Sequence, residues 1–234
     1  GNLSDGIEAL SKVMNLKGKV VPLTEDNVIL MAELQNGTII EGEHNITLRK
    51  DKSIINKVYY KEKAIPTKET LEAIKNADLI LLSMGSLFTS IIPNLLIEEV
   101  INEIENSKAK IMYVCNMMTQ PGETDNFTVS DHVKKLNQYL GKRNVDIVLA
   151  NIGEIDTKMA EFYEIQEQKD PVIYDEKELQ KLNKCNDAIE IFQNEHALII
   201  KNSELTEAEV GEKLGDYTLY NATTFLNALD RDCV

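Results

Sequence analysis

Positive charge is scarce in this sequence. Its 25 Lys and Arg stand against 39 Asp and Glu, giving a formal net charge of −14 over 234 residues. A nucleic-acid binder displaces counterions with a basic surface, so nucleic acid is excluded as a partner. The densest basic piece, Lys57 to Lys68, is interrupted by Glu62 and reads as a solvated loop. Any anionic ligand must be held by backbone amides, hydroxyls, a few placed cations or a metal, against an unfavourable overall field. No apolar run approaches the roughly 18–20 residues that span a bilayer, and no signal peptide opens the chain, so membrane insertion is not expected. Cys115, Cys185 and Cys233 share no CxxC or Cys/His metal spacing. Reduced thiols in a cytoplasmic protein are the simple expectation. There is no GxGxxG and no P-loop, no G-x-S-x-G elbow, and no legible Cys/His or Ser/His/Asp set. No side chain presents itself as a nucleophile, so binding parts are clearer than catalytic ones.

At 43% hydrophobic and 27% charged residues the chain is an ordinary globular one. Ser4 to Asn15 reads as an amphipathic helix with Ile7, Leu10, Val13 and Met14 on one face, Ser4 as its N-cap and Gly18 as its stop. Val20 to Leu23 is a short β segment, and Val28 to Leu34 a second. Asn36-Gly37 signals a type I′ hairpin returning through Thr38 to Glu41, and Lys57 to Lys61 a short strand. From Thr67 the pattern turns regular: helix Thr67–Asn76, strand Asp78–Ser83, helix Pro93–Asn106, strand Lys110–Cys115, helix Ser130–Leu140 and strand Asp146–Ala150. Beyond Glu154, helices are expected over Lys158–Gln168, Glu176–Lys184 and Ala222–Asp230, and a strand over Ala197–Lys201. Strand–helix alternation argues for an α/β fold with a parallel sheet covered on both faces and ligands at the carboxyl ends of its strands. We expect one α/β domain over 1–234, with core units at 67–154, a C-terminal part at 155–234 and a small β-hairpin element.

All three strand ends carry polar clusters. The first is Ser83-Met-Gly85-Ser86-Leu87-Phe-Thr89-Ser90 with Pro93-Asn94. A strand that ends in glycine and hydroxyls before a helix exposes N–H groups at the positive end of the helix dipole, a seat for phosphate. Gly85 is free to take positive φ and admit a ligand to the backbone. The alternative is a plain strand–helix connection with capping hydroxyls. The second cluster runs from Asn116 through Thr119, Gln120, Gly122, Glu123, Thr124 and Asp125 to Ser130-Asp131-His132. Its amides suit base edges and hydroxyls, while Glu123 and Asp125 suit a ribose or water-held Mg²⁺. Ser130 also reads as the N-cap of the next helix, and His132 as a surface or supporting group rather than a base. The third is Asn151 with Gly153, suited to a base, a neighbouring loop or plain turn chemistry.

ADLILLSMGSLFTSIIPNLL at 77–96, YVCNMMTQPGETD at 113–125 and Ser130-Asp-His-Val133 resemble one family, the CofD-like proteins, and within it the YvcK branch of gluconeogenesis factors. LSKVMNLKG at 10–18 and Glu33 to Asn45 resemble that branch too, so the likeness covers almost the whole chain. It implies a Rossmann-like, mostly parallel sheet that binds a nucleotide diphosphate compound. For this branch it implies a UDP-sugar such as UDP-N-acetylglucosamine and a role in carbon flux, cell-wall synthesis and cell shape. The enzyme branch instead transfers a phospholactyl or phosphoenolpyruvyl group to a deazaflavin with a guanylyl donor and Mg²⁺; Pro121 to Asp125 resembles the other branch. On this reading Gly85, Ser86, Leu87, Thr89, Ser90 and Asn94 hold phosphate. Asn116, Thr119, Gln120, Gly122, Glu123, Thr124 and Asp125 contact sugar or nucleoside, Asn151 the base, and Tyr163 the UDP-sugar by a loose alignment. The family's N-terminal glycine-rich strand–loop–helix is not in the sequence, which reads as starting partway through the fold. Tyr220-Asn221-Ala222 stands where the branch usually carries Arg-His-Asp. A homodimer is a further expectation, and no metal or catalytic residue is assigned.

Overall fold

Short apolar runs bounded by polar turns organise the chain into two sheets. The structure is a computed structural model that describes residues 3–49, 51, 53–152, 162–165, 167–182, 189–191 and 197–201. Helix α1 (Leu3–Val13) is followed by strands β1 (Leu30–Leu34) and β2 (Ile39–Glu41), a short helix α2 (Glu43–Thr47) and strand β3 (Ile55–Tyr60). These strands form an antiparallel sheet in the order β2-β1-β3. The expected hairpin is therefore one half of a three-stranded sheet. Its turn is not type I′, because that turn needs positive φ at both central residues and only Gly37, at 84°, has it. The Gly37 N–H donates to the Leu34 carbonyl and the Leu34 N–H to that of Thr38, both at 2.9 Å, giving a three-residue loop closed by a left-handed glycine. The Val20–Leu23 segment forms no strand; an isolated bridge joins Thr24 to Pro66.

The second sheet has the order β4-β5-β6-β8-β7. Strands β4 (Leu79–Leu82), β5 (Lys110–Val114) and β6 (Ile147–Asn151) are its parallel core, joined through helices α4 (Glu98–Asn106) and α5 (Val129–Asn137), with helix α3 (Lys68–Lys75) leading into β4. Helix α6 (Glu176–Leu182) precedes β7 (Ile189–Ile191) and β8 (Ala197–Lys201). Strand β8 runs antiparallel to β6, and β7 antiparallel to β8. The α/β class holds, with helices flanking three parallel strands and an antiparallel pair extending the sheet. Central β5 shows why: Ile111, Met112 and Tyr113 are wholly buried, as a parallel strand covered on both faces requires. The expected helix over 222–230 and residues 155–161 lie outside the described residues, while 162–165 are helical.

Helix boundaries follow local chemistry. Thr67 caps α3 by accepting from the Thr70 N–H. Ser4 does not cap α1; its N–H and hydroxyl go to Glu25. Nor does Gly18 stop it. Asn15 takes φ 52°, and Leu16 N–H to Ser11 carbonyl with Asn15 N–H to Lys12 carbonyl make a Schellman end. The expected single helix over Pro93–Asn106 is split into a 3₁₀ turn (Ile92–Leu95) and α4, and a π-helical turn (Leu87–Ile91) precedes it. Ile97, extended at ψ 121°, makes the break. Helix α5 is capped not by Ser130 but by Thr128, whose hydroxyl accepts from Asp131 N–H while the Asp131 carboxylate accepts from Thr128 N–H. We expect Thr128→Ala to lower stability by about 1 kcal/mol, measured as a shift of the urea midpoint at constant slope.

Candidate functional site

The carboxyl ends of β4 and β5 lie side by side in register, with Leu82 opposite Tyr113. That places the 83–90 and 116–125 loops next to each other although about 35 residues separate them in sequence. The contact is direct. Asn116 Nδ2 donates to the Gly85 carbonyl at 2.8 Å, and the Gly85 N–H donates to Asn116 Oδ1 at 3.3 Å. Asn116 thus spends its amide as a clamp on the loop backbone. Gly85 does not take positive φ, and a Cβ there would meet only ordinary contacts at 3.5 and 3.8 Å. Its glycine is not demanded by the loop's conformation, unlike Gly122, which sits at φ 83°.

A second link joins the loops through a buried carboxylate. The Ser86 hydroxyl donates to Glu123 Oε2. Thr89 Oγ1 donates to Ser86 Oγ at 2.5 Å and lies 3.4 Å from Glu123 Oε1. Ser86 Oγ also accepts from the Thr89 N–H, capping the turn, and the Phe88 N–H bonds to Glu123. Glu123 is only 3% exposed. Burial raises its pKa, opposed by these hydrogen bonds and by the Arg49 charge. The hydroxyls expected to meet a phosphate therefore already serve an internal anion.

The remaining expected residues divide into those that shape the loops and those elsewhere. Thr119 is buried; its N–H donates to the Asp170 carbonyl at 2.7 Å and its hydroxyl accepts from the Asp170 N–H at 3.0 Å. Thr124, 1% exposed, accepts from the Gln120 N–H at 2.8 Å. Gln120 Oε1 is sealed from solvent without a partner. Asp125 accepts from the Gly122 N–H at 2.6 Å. Leu87 is wholly buried, so only its backbone is offered to a ligand. Ser90 is exposed, and its carbonyl accepts from Asn94 Nδ2 at 2.7 Å, which turns Asn94 to holding the helical turn. Asn151 ends β6 opposite Ala197 of β8. The contacts of Tyr163 are local, an edge-on pairing with Phe162 at 5.7 Å and a carbonyl accepting from Lys169 N–H at 3.2 Å. Gly153 lies outside the described residues.

His132 is not a surface residue. It is wholly buried, faces Tyr113 at 6.4 Å and meets Phe127 edge-on at 5.5 Å. Its Nδ1–H donates to the Thr128 carbonyl at 2.8 Å, which leaves Nε2 bare, buried and unpartnered. Burial lowers its pKa and favours the neutral ring. Ser130 is equally buried and donates its hydroxyl to Asp175 at 2.6 Å. Cys115, at the end of β5, is buried with its thiol pushed up to about 12, which removes it as a nucleophile.

One group escaped the sequence reading. Arg49 lies against Gly122, with guanidinium atoms 3.7–3.9 Å from where a Cβ would stand there. Nη1 donates to the Ile46 carbonyl at 2.8 Å and Nη2 to that of Ser53 at 3.4 Å, while Nε is buried without a partner. Its charge acts on Glu123 and Asp125. It is thus a placed cation in an acidic protein, recruited from a polar stretch with no periodicity to announce it. Thr89 also lines an open groove of about 350 Å³ with Leu30, Gly42, Tyr60 and Pro93, between the antiparallel sheet and the helical turn. Among the described residues no three His, Cys, Asp or Glu side chains converge on one point. The carboxylates at the loops, Glu123 and Asp125, are engaged with Ser86 and Gly122.

Among the described residues no helix is long and apolar enough to cross a membrane. The family described as 2-phospho-L-lactate transferase CofD matches residues 1–189. The chain is 38% identical over 198 residues to the gluconeogenesis factor of Bacillus subtilis, covering 83% of this chain and 62% of that protein. It is 41% identical over 184 residues to the gluconeogenesis factor of Halalkalibacterium halodurans, covering 78% and 56%. A crystal structure of a UPF0052 family protein from Bacillus halodurans matches with TM-score 0.74 and 39% identity over 78% of this chain and 58% of that one. The chain spans about half the length of the curated relatives it matches.

Proposed function

The chain belongs to the CofD family, on the side of the gluconeogenesis factors, and from that premise we propose that it binds a nucleotide-sugar and serves a regulatory role in carbon metabolism. The observation that carries this reading is the junction of the two polar loops at adjacent parallel strand ends, clamped by Asn116 on Gly85 and by Glu123 on Ser86. Crevices at the carboxyl ends of such strands are where α/β sheets take nucleotides. The diphosphate lies at the Gly85–Ser90 turn, and the groove beside Thr89 has space for the rest of the ligand. Its volume of about 350 Å³ falls at the lower end of ordinary small-molecule sites, roughly 300–1,000 Å³. Arg49 supplies the nearby positive charge that the composition makes scarce. The ligand is a UDP-sugar such as UDP-N-acetylglucosamine, and the role extends to cell-wall synthesis and cell shape. The protein works in the cytoplasm as one α/β domain and pairs as a homodimer.

Calorimetry of the intact protein with UDP-N-acetylglucosamine tests the reading. Saturable heat is expected, and none at millimolar ligand overturns it. A transferase reading draws on the description of the matched family. In that case Mg²⁺ held by phosphates and one or two carboxylates has Glu123 and Asp125 as its nearest candidates. The burial of His132, which lowers its basicity, counts against a ready proton acceptor. A single-turnover assay with a guanylyl-phospholactate donor and a deazaflavin separates the two: phospholactyl transfer there replaces the regulatory reading.

A further inference from the structure

Glu123 is an odd residue to find at a seat for phosphate. It approaches from the loop after β5 and accepts from the Ser86 hydroxyl and the Phe88 N–H, with the Thr89 hydroxyl 3.4 Å away. These are the donors at the start of the helical segment that follows β4, the group an incoming phosphate would use. The carboxylate is almost wholly buried there. A second observation stands apart from it. Arg49 lies against the same loop at Gly122, its Nε buried without a partner, its charge felt at Glu123. A sealed, unpaired N–H on a half-buried cation is costly, and it gives a displaced carboxylate a destination.

We propose that Glu123 is an internal stand-in for the ligand's phosphate, holding the Ser86–Thr89 turn closed until a diphosphate displaces it toward Arg49. This rests on the nucleotide-sugar reading and adds to it a residue that decides when the seat is open. The groups facing Glu123 are Ser86, Thr89 and the Phe88 N–H from the helical turn, and Arg49 from the segment after α2. Glu123 competes with phosphate for these donors, and its charge repels it.

The test is calorimetry of the intact protein with UDP-N-acetylglucosamine. Glu123→Gln keeps an acceptor for the hydroxyls and removes the charge. It is expected to bind about tenfold tighter than wild type. Arg49→Gln removes the destination and is expected to bind about tenfold more weakly; it carries the test if Glu123→Gln does not fold. Binding by Glu123→Gln equal to wild type or weaker overturns the proposal and leaves the nucleotide-sugar reading standing. If Glu123→Gln does not fold, unchanged binding by Arg49→Gln overturns it in the same way. Binding by Glu123→Gln alone supports it as a closed seat, and binding by neither overturns both.

Discussion

Replacing Phe88 with alanine is expected to destabilise the protein by about 3–5 kcal/mol, the range for a fully buried phenylalanine. Phe88 is wholly buried. It meets Phe127 edge-on at 6.3 Å, and Lys135 Nζ lies 5.9 Å from its ring centre. Lys135 is half-buried, with its pKa lowered by burial. Removal leaves a cavity, strips Phe127 of its partner and exposes a cation to a void. Phe88 is also the second residue of the π-helical turn, and its N–H bonds to Glu123. The side chain therefore anchors the backbone that presents Ser86 and Thr89. Guanidinium titration reads the stability, with the slope unchanged if only packing is lost. Phe88→Leu, which refills most of the volume, should cost less than about 1.5 kcal/mol. A cost below about 1 kcal/mol for the alanine variant would show that the ring is not in the core.

The parallel strands were legible because their chemistry is local. Leu79–Leu82, Ile111–Val114 and Ile147–Ala150 are apolar runs short enough for strands and bounded by polar loops, and each forms where it was expected. Thr67 and Asn76 likewise bracket α3 through bonds within one turn. What escaped depends on partners distant in sequence. Nothing near Glu123 announces that its carboxylate meets Ser86, nothing near Asn116 that its amide clamps Gly85, and nothing near Arg49 that it lies against Gly122. His132 reads as a surface or supporting group in a first turn, and only Tyr113 and Phe127 closing over it decide between the two. Hydroxyl-rich loops drew a phosphate reading because hydroxyls serve phosphates and internal carboxylates equally well. Ser86 and Thr89 serve a carboxylate here, and only the fold brings that carboxylate to them.

Asp175→Ala is expected to cost about 2–4 kcal/mol, through polar groups left without an acceptor rather than through packing. Its carboxylate accepts from the Ser130 N–H at 2.9 Å, the Ser130 hydroxyl at 2.6 Å and the Thr128 hydroxyl at 2.8 Å. Ser130 is wholly buried, so water does not readily replace those bonds. The carboxylate also faces the positive end of α5, which favours it further. Meanwhile the Asp175 carbonyl receives the Glu178 and Leu179 N–H groups that open α6. One residue thus fastens the starts of two helices. The segment before it laces the site from behind: Thr119 bonds to Asp170, Val172 N–H donates to the Met117 carbonyl, and Val129 N–H donates to that of Ile173. Loosening Asp175 should therefore soften the 116–125 loop as well as lower the melting temperature. Asp175→Asn keeps an acceptor and should lose less than Asp175→Ala. A double-mutant cycle with Ser130→Ala measures the link, with a coupling of about 1–2 kcal/mol expected. Strict additivity would mean that Asp175 does not hold α5 and that the loop is braced by the 170–173 backbone alone.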